Sequence, residues 1–284
     1  ADDLISTTLL ATPRPIVIAP AMNNGMWKAP TTQANMATLR DRGVHVVGPG
    51  SGYLACGDVD TGRMSEPEDI VEAICEVLNP VPQDLADKRI VITAGPTHEP
   101  IDPVRFIGNY SSGKMGFALA EACAEAGAEV MLVAGPVSLK TNHSSIDRID
   151  VESAEEMYRA VLSEYDRSDI AIMCAAVADY APETVSDVKL KRTGEDRILR
   201  LRPNPDIAAE LGRRKRPGQC LVGFALETND EEMNARLKME KKNLDFIVLN
   251  SLRDAGAGFQ CDTNKVTVIG KQGEPMEIPC KPKI

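Results

Sequence analysis

Ser111-Ser112-Gly113-Lys114 stands at the head of an alanine-rich run, and about fifteen residues separate Gly108, just ahead of it, from the apolar stretch Ile90-Val91-Ile92. A helix that starts there turns its first N–H groups and the positive end of its dipole toward whatever lies ahead of it, and phosphate is the natural ligand. Gly108, Gly113 and Lys114 also meet the Walker A spacing, but Met115 stands where a Ser or Thr must bind magnesium, and no glycine turn follows the strand directly. A phosphate cradle and a plain serine cap with a glycine for close packing remain the two uses of these residues. The seven cysteines (Cys56, Cys75, Cys123, Cys174, Cys220, Cys261, Cys280) show no C-x-x-C spacing, so they announce neither a zinc site nor a disulfide framework. His45 falls in a strand-like run, while His98 and His143 fall past the predicted linker; all three read as surface or loop residues.

These groups need a scaffold, and the chain alternates strand and helix patterns throughout. Pro15–Pro20 and Val44–Val47 read as strands around a helix at Thr31–Arg42, and Ser65 caps a helix at Glu66–Leu78. Asn79–Asp87 (NPVPQDLAD) interrupts the pattern with two prolines and marks a linker. From Lys88 the alternation resumes. Strands are expected at Ile90–Ile92, Glu129–Val133, Ile170–Met173, Cys220–Ala225, Phe246–Leu249 and Val266–Ile269, and helices at Gly113–Ala126, Ala154–Tyr165, Asp206–Arg214 and Glu231–Asn243. Helical crossovers imply a Rossmann-like α/β fold with a mainly parallel sheet, whose ligands sit beyond the C-terminal strand ends. The loops there carry GPT, CAAVADYAP and ALETN.

Composition narrows the class of ligand. The 284 residues carry 32 Lys and Arg against 42 Asp and Glu, a net charge of −10 that argues against nucleic acid and anionic membranes as partners. Between Val185 and Asp245 the balance reverses to 14 basic against 11 acidic residues, so an anionic ligand has one favoured region, although a solvated basic face gives the same count. No apolar run approaches the ~18 residues that span a bilayer, and the acidic start ADDLISTTLL lacks a basic leader, which points to the cytoplasm. The absence of an initiator Met suggests a fragment or trimmed chain.

The composite ITAGPTHEPIDPVRFIGNYSSGKMG resembles the signature of the phosphopantothenate–cysteine ligase family, the second half of bifunctional bacterial coenzyme A biosynthesis proteins. AAVADYAP, Lys189-x-Lys191, NPDI, VGFALET and ARLKMEKKNLDFIVLN follow in family order, so the resemblance covers nearly all of Lys88–Asn264. It implies that CTP, with Mg2+ or Mn2+, activates 4′-phosphopantothenate as an acyl-cytidylate, which L-cysteine then opens. Two anions must meet in that step, and cations and helix N-termini are what bring them together.

By motif position the resemblance assigns Lys189, Lys238 and Lys242 to the triphosphate, with Cys174, Ala175 and Asp179 holding cytidine. Pro205, Asp206, Ile207, Ala208 and Phe224 complete that pocket. Asn109 is assigned to the acyl-cytidylate carbonyl, and Ser111, Ser112 and Gly113 to a phosphate. Outside the motif, Lys238 and Lys242 would be a solvated helix face, and Asp179 and Asp206 helix caps. Arg105 resembles a position at the subunit contact of the family's ligase homodimer.

PAMNNGMW and ACGDVDTGRM resemble the flavin-dependent cysteine decarboxylase family. There Asn23 matches the residue that contacts the substrate carboxylate, and Cys56 the one that protonates the enethiolate. Nothing before Ala1 supplies the flavin-binding segment with its catalytic histidine, so residues 1–78 are expected to be a partial decarboxylase domain. FMN then belongs to the intact protein and is not held by this chain alone. Residues 79–87 are the expected linker and 88–284 the ligase domain. The chain stops where the family continues into a final helix, which would leave a sheet edge uncovered. Two rivals stand beside the ligase reading. One is a dinucleotide-binding oxidoreductase, which lacks its G-x-G-x-x-G context at Gly95. The other is a non-catalytic or assembly-dependent fragment.

Overall fold

The computed structural model describes residues 2–53, 59–192, 194, 196–227, 230–251 and 263–282. It divides into two units, Ala1–Pro82 and Gln83–Ile284.

The first unit runs α1 (Leu4–Ala11), β1 (Val17–Ile18), α2 (Asn24–Lys28), α3 (Pro30–Asp41), β2 (His45–Val46), β3 (Gly50–Tyr53), β4 (Val59–Arg63) and α4 (Pro67–Leu78). β1 and β2 pair in parallel and β3 and β4 antiparallel. Two short segments are all that the expected runs at 15–20 and 44–47 supply, because single-pair sheets stop where their partner stops. The helix 67–78 takes Glu66 as N-cap and Pro67 in its first turn, so the expected cap at Ser65 moves one residue on. Met36 is the one buried apolar side chain among the described residues of this unit.

The second unit is organised by an eight-stranded sheet. Its elements are β5 (Arg89–Ala94), β6 (His98–Pro100), β7 (Phe106–Gly108), α5 (Lys114–Glu125), β8 (Glu129–Ala134), β9 (Ile146–Asp150), α6 (Ala154–Tyr165), β10 (Ile170–Met173), β11 (Tyr180–Pro182), β12 (Leu201–Pro203), α7 (Ile207–Arg214), β13 (Cys220–Glu227), α8 (Glu231–Lys241), β14 (Phe246–Ser251), β15 (Thr263–Gly270) and β16 (Met276–Pro282). The sheet order is β16-β15-β14-β13-β10-β5-β8-β9. From β14 to β9 every pairing is parallel, and β15 and β16 close the other edge antiparallel.

Period-two alternation along β5 sends Val91 to one face and Ile90 and Ile92 to the other. One face packs on Phe117, Ala120 and Ala124 of α5, and the opposite face on Met157 and Val161 of α6, Leu211 of α7 and Met239 of α8. Gly116 brings α5 so near β5 that a Cβ on it would lie 2.5 Å from the Ala94 Cβ.

Several sequence-based boundaries shift for physical reasons. Residues 83–87 dock on the second unit: the Leu85 N–H donates to the Ala126 carbonyl at 3.0 Å, and Gln83 Nε2 donates to the Glu125 carbonyl at 2.8 Å. The linker thus ends earlier than the prolines suggest. β16 extends the sheet beyond the expected last strand, pairing with β15 through Met276–Val268 and Ile278–Val266, and is itself the outer strand. β13 contains Phe224 as expected but runs on to Glu227, two residues past the expected end at Ala225.

Candidate functional site

The site begins with two buried threonines. Past β5 the chain turns at Gly95, whose φ of +81° lies in the left-handed region that glycine enters without strain. The segment after β10 lies alongside it, with Pro96 and Ala176 bridged in parallel. The Ala175 N–H donates to Thr93 Oγ1 at 3.1 Å, the Ala176 N–H to the Gly95 carbonyl at 2.8 Å, and the Ala178 N–H to Thr97 Oγ1 at 2.9 Å. Both threonine side chains are removed from water, so these hydroxyls are the partners that the loop amides require.

Asparagines take the carbonyls of the same loop. Asn109 Nδ2 donates to the Ala176 and Val177 carbonyls at 3.2 and 3.0 Å, and Asn204 Nδ2 to the Ala178 carbonyl at 2.8 Å. In this conformation the amide hydrogens of Asn109, expected to face a reacting carbonyl, hold the loop. Thr93, Thr97 and Asn204 escaped the sequence reading as loop-holders, because their partners lie far along the chain. Thr93 and Thr97 stand on either side of the turn at Gly95, so no strand alternation links them in the sequence.

The gripped loop, residues 174–178, separates two clefts of about 290 and 320 Å³ at the C-terminal ends of the central strands. Ala175, Val177, Asp179, Phe224 and Lys238 line both. Pro205, Asp206, Ile207, Ala208 and Lys242 line the first alone, and Cys174, Asn109, Ser111, Ser112 and Gly113 the second alone. The second cleft meets the N-terminus of α5, where Gly113 is the N-cap with φ +79° and no side-chain cap bond. Its amide donates to Ser111 Oγ at 3.4 Å.

Charge is arranged around the first cleft by helix ends. Asp206 caps α7 by accepting the Ala209 N–H at 3.0 Å, and Lys242, just past α8, pairs with it at 2.9 Å. Burial pushes the Asp206 carboxyl upward, but the Lys242 ammonium and the Ala209 amide outweigh that and hold it below the ordinary value. Lys238 Nζ donates to the Phe224 carbonyl at 2.9 Å. Both α7 and α8 thus bring their predicted residues to one place.

Lys189 is not brought there. It is exposed and lines neither cleft; the segment around it is held by the Asp102 loop, the Leu190 N–H donating to Asp102 Oδ2 at 3.1 Å and Arg105 Nη2 to the Leu190 carbonyl at 2.5 Å. Arg105, expected at a subunit contact, makes these internal bonds. In the first unit, Asn23 caps α2 by accepting the Gly25 N–H at 2.8 Å. Cys56 lies outside the described residues. Among the described residues no group of three or more His, Cys, Asp or Glu side chains could hold a metal ion, and no helix is long and apolar enough to cross a membrane.

Residues 85–284 match the family model described as DNA/pantothenate metabolism flavoprotein C-terminal domain, and residues 1–79 match the model described as flavoprotein. A protein named cysteine/cysteine sulfinic acid decarboxylase, from an unknown prokaryotic organism, is 50% identical over 286 residues, covering 100% of this chain and 80% of its own. The coenzyme A biosynthesis bifunctional protein CoaBC of Bacillus subtilis (strain 168) is 49% identical over 285 residues, covering 100% of this chain and 70% of its own. Among solved structures, the C-terminal domain of a coenzyme A biosynthesis bifunctional protein CoaBC aligns with a TM-score of 0.59 at 43% identity, covering 70% of this chain and 89% of that one.

Proposed function

Because the chain belongs to the family of bifunctional coenzyme A biosynthesis proteins, we propose that its second unit joins 4′-phosphopantothenate to L-cysteine, with CTP as the activating nucleotide. The observation that carries this reading is the pair of adjoining clefts sharing the 174–178 wall and Lys238. One cleft offers a helix N-terminus with two serines, suited to a phosphate; the other offers an aromatic ring and two lysines, suited to a nucleotide.

A carboxylate held in the first-mentioned cleft attacks the α-phosphorus in the other, forming the acyl-cytidylate and releasing pyrophosphate. The cysteine amine then attacks the acyl carbon, the amide forms, CMP leaves and the amine proton passes to solvent. Lys238 and Lys242 lower the cost of bringing the two anions together, with Lys189 supplied from its neighbouring segment. Asp206 is already paired with Lys242 and Asp179 is the other carboxylate lining the clefts. The donor set therefore suits a magnesium ion that arrives on the triphosphate and keeps most of its water, rather than one held by a protein cage.

The first unit is the decarboxylase counterpart, with FMN the cofactor that its flavoprotein match implies. The protein works in the cytoplasm, and its ligase units pair as homodimers.

Cysteine decarboxylation, the activity in the name of one relative, consumes no nucleoside triphosphate, and the lysine-lined clefts favour the ligase. Pyrophosphate release measured with phosphopantothenate, magnesium and CTP or ATP, with and without cysteine, tests the proposal, alongside carbon dioxide release from L-cysteine alone. CTP-dependent release that Lys238→Met abolishes supports it. Carbon dioxide without any nucleotide-dependent pyrophosphate would sink it.

A further inference from the structure

Asp102 is a carboxylate whose side chain is wholly shielded from solvent, in a loop far along the chain from what it holds. Its Oδ1 accepts the N–H groups of Val104 and Arg105, each at 2.9 Å, which closes the turn before β7. Its Oδ2 faces the other way and accepts three donors: Arg105 Nε at 3.0 Å, Arg105 Nη2 at 2.5 Å and the Leu190 N–H at 3.1 Å. Arg105 Nη2 reaches on to the Leu190 carbonyl. Both main-chain polar groups of Leu190 are thus gripped by one ion pair, and the Ser186 N–H adds a bond to the Ile101 carbonyl at 3.0 Å.

The gripped stretch is a strap, residues 183–192, that leaves β11 within the connection to β12, which ends beside the cleft residue Asn204. Leu190 lies between Lys189 and Lys191, both exposed. A charged acceptor with a full set of donors is among the stronger single holds that a protein makes, and losing one partner of such a buried set is costly. The turn is also closed without Oδ2, by the two Oδ1 bonds and by the Ile101 N–H donating to the Arg105 carbonyl at 2.8 Å.

Resting on the ligase reading, we infer that Asp102, through Arg105, is a positioning residue that fixes the strap and thereby sets where Lys189 and Lys191 meet the anionic reactants. Asp102→Asn keeps an oxygen for the turn and replaces the strap-facing acceptor with a donor. Leu190→Pro removes the strap's N–H, at the cost of fixing φ there and restricting Lys189 before it, and leaves the Asp102–Arg105 ion pair intact, so it serves if Asp102→Asn folds poorly.

Two readouts on the full chain decide the matter. In trypsin digestion under native conditions, Asp102→Asn is expected to be cut after Lys189, Lys191 and Arg192, and Leu190→Pro, whose Lys189–Pro bond resists trypsin, after Lys191 and Arg192, at least about tenfold faster than wild type, as lost hydrogen bonds to a charged group permit local opening. In CTP-dependent pyrophosphate release, Asp102→Asn is expected to lower kcat/KM for CTP about tenfold alone, yet less than twofold further in a Lys189→Gln, Lys191→Gln background, the mark of action through those lysines. Unchanged cleavage at these sites overturns the inference, as does a loss that multiplies fully with the lysine changes. A wild-type chain without nucleotide-dependent release overturns the ligase reading instead, and the digestion rates then decide by themselves whether Asp102 holds the strap.

Discussion

Gly212 on α7 lies so close to Lys242 that a Cβ on it would come 1.9 Å from the Lys242 carbonyl oxygen. Asn243 Nδ2 donates to the Gly212 carbonyl at 3.0 Å across the same contact. The end of α8 is thereby locked to α7, and the Lys242 ammonium is delivered to Asp206 at the other end of that short helix. Gly212→Ala must push the two backbones apart, at a cost of about 1–3 kcal/mol by analogy with overpacked cores. For a unit of this size, that lowers Tm by roughly 3–10 °C. Calorimetry is expected to show this, and pyrophosphate release to show a weaker dependence on CTP. An unchanged Tm would mean that the junction gives way freely.

Thr97→Val tests the wall between the clefts. It keeps the shape and removes the only oxygen that accepts the Ala178 N–H in the described structure, leaving a buried donor unpaired at a cost of about 1–3 kcal/mol. Urea unfolding should show that loss, and Thr97→Ser should restore most of it. Equal stability of the serine and valine variants would show that the hydroxyl is not what holds Ala178.

Asn109 separates positioning from direct catalysis. Asn109→Asp turns two donated bonds into oxygen facing the Ala176 and Val177 carbonyls, so the shared wall should shift. If Asn109 acts through the wall, Asn109→Ala raises KM for CTP about three- to tenfold along with any fall in kcat. A fall in kcat with KM unmoved would return Asn109 to the role of a donor to the reacting carbonyl.

The helix-capping aspartate predicts an acid limb. Asp206 titrates below the ordinary 3.8 in the folded chain, so its pairing adds stability above that value and is lost as pH falls through the folded value. Asp206→Asn should therefore be less stable than wild type at pH 7, with the gap narrowing below about pH 4. Urea midpoints at pH 7, 4 and 3 read this directly, and a constant gap would show that the carboxylate's charge is not the stabilising feature.

How much of this was legible beforehand follows from range. The helices 154–165 and 207–214 declare themselves through local signals: Ser153 with Glu156 forms a capping box, and Asp206 caps α7. The hairpins β6–β7 and β11–β12 do not, since three-residue strands carry too little alternation to detect. Of the assigned cleft residues, all those in the second unit but Lys189 line the clefts, because short motifs fix them at strand ends and helix starts.

The chain's own pattern determined the alternation of strand and helix, the parallel centre of the sheet, and hence which loops gather at one end of it. Those are consequences of period, cap and crossover length, all local properties. Tertiary structure alone decided that Asn109 and the two threonines hold a wall, that Asp102 grips Leu190 across 88 positions, and that the Lys189 segment stands apart from the clefts. Hydrogen-bond partners so distant in sequence leave no periodic trace; only the folded sheet brings them within reach.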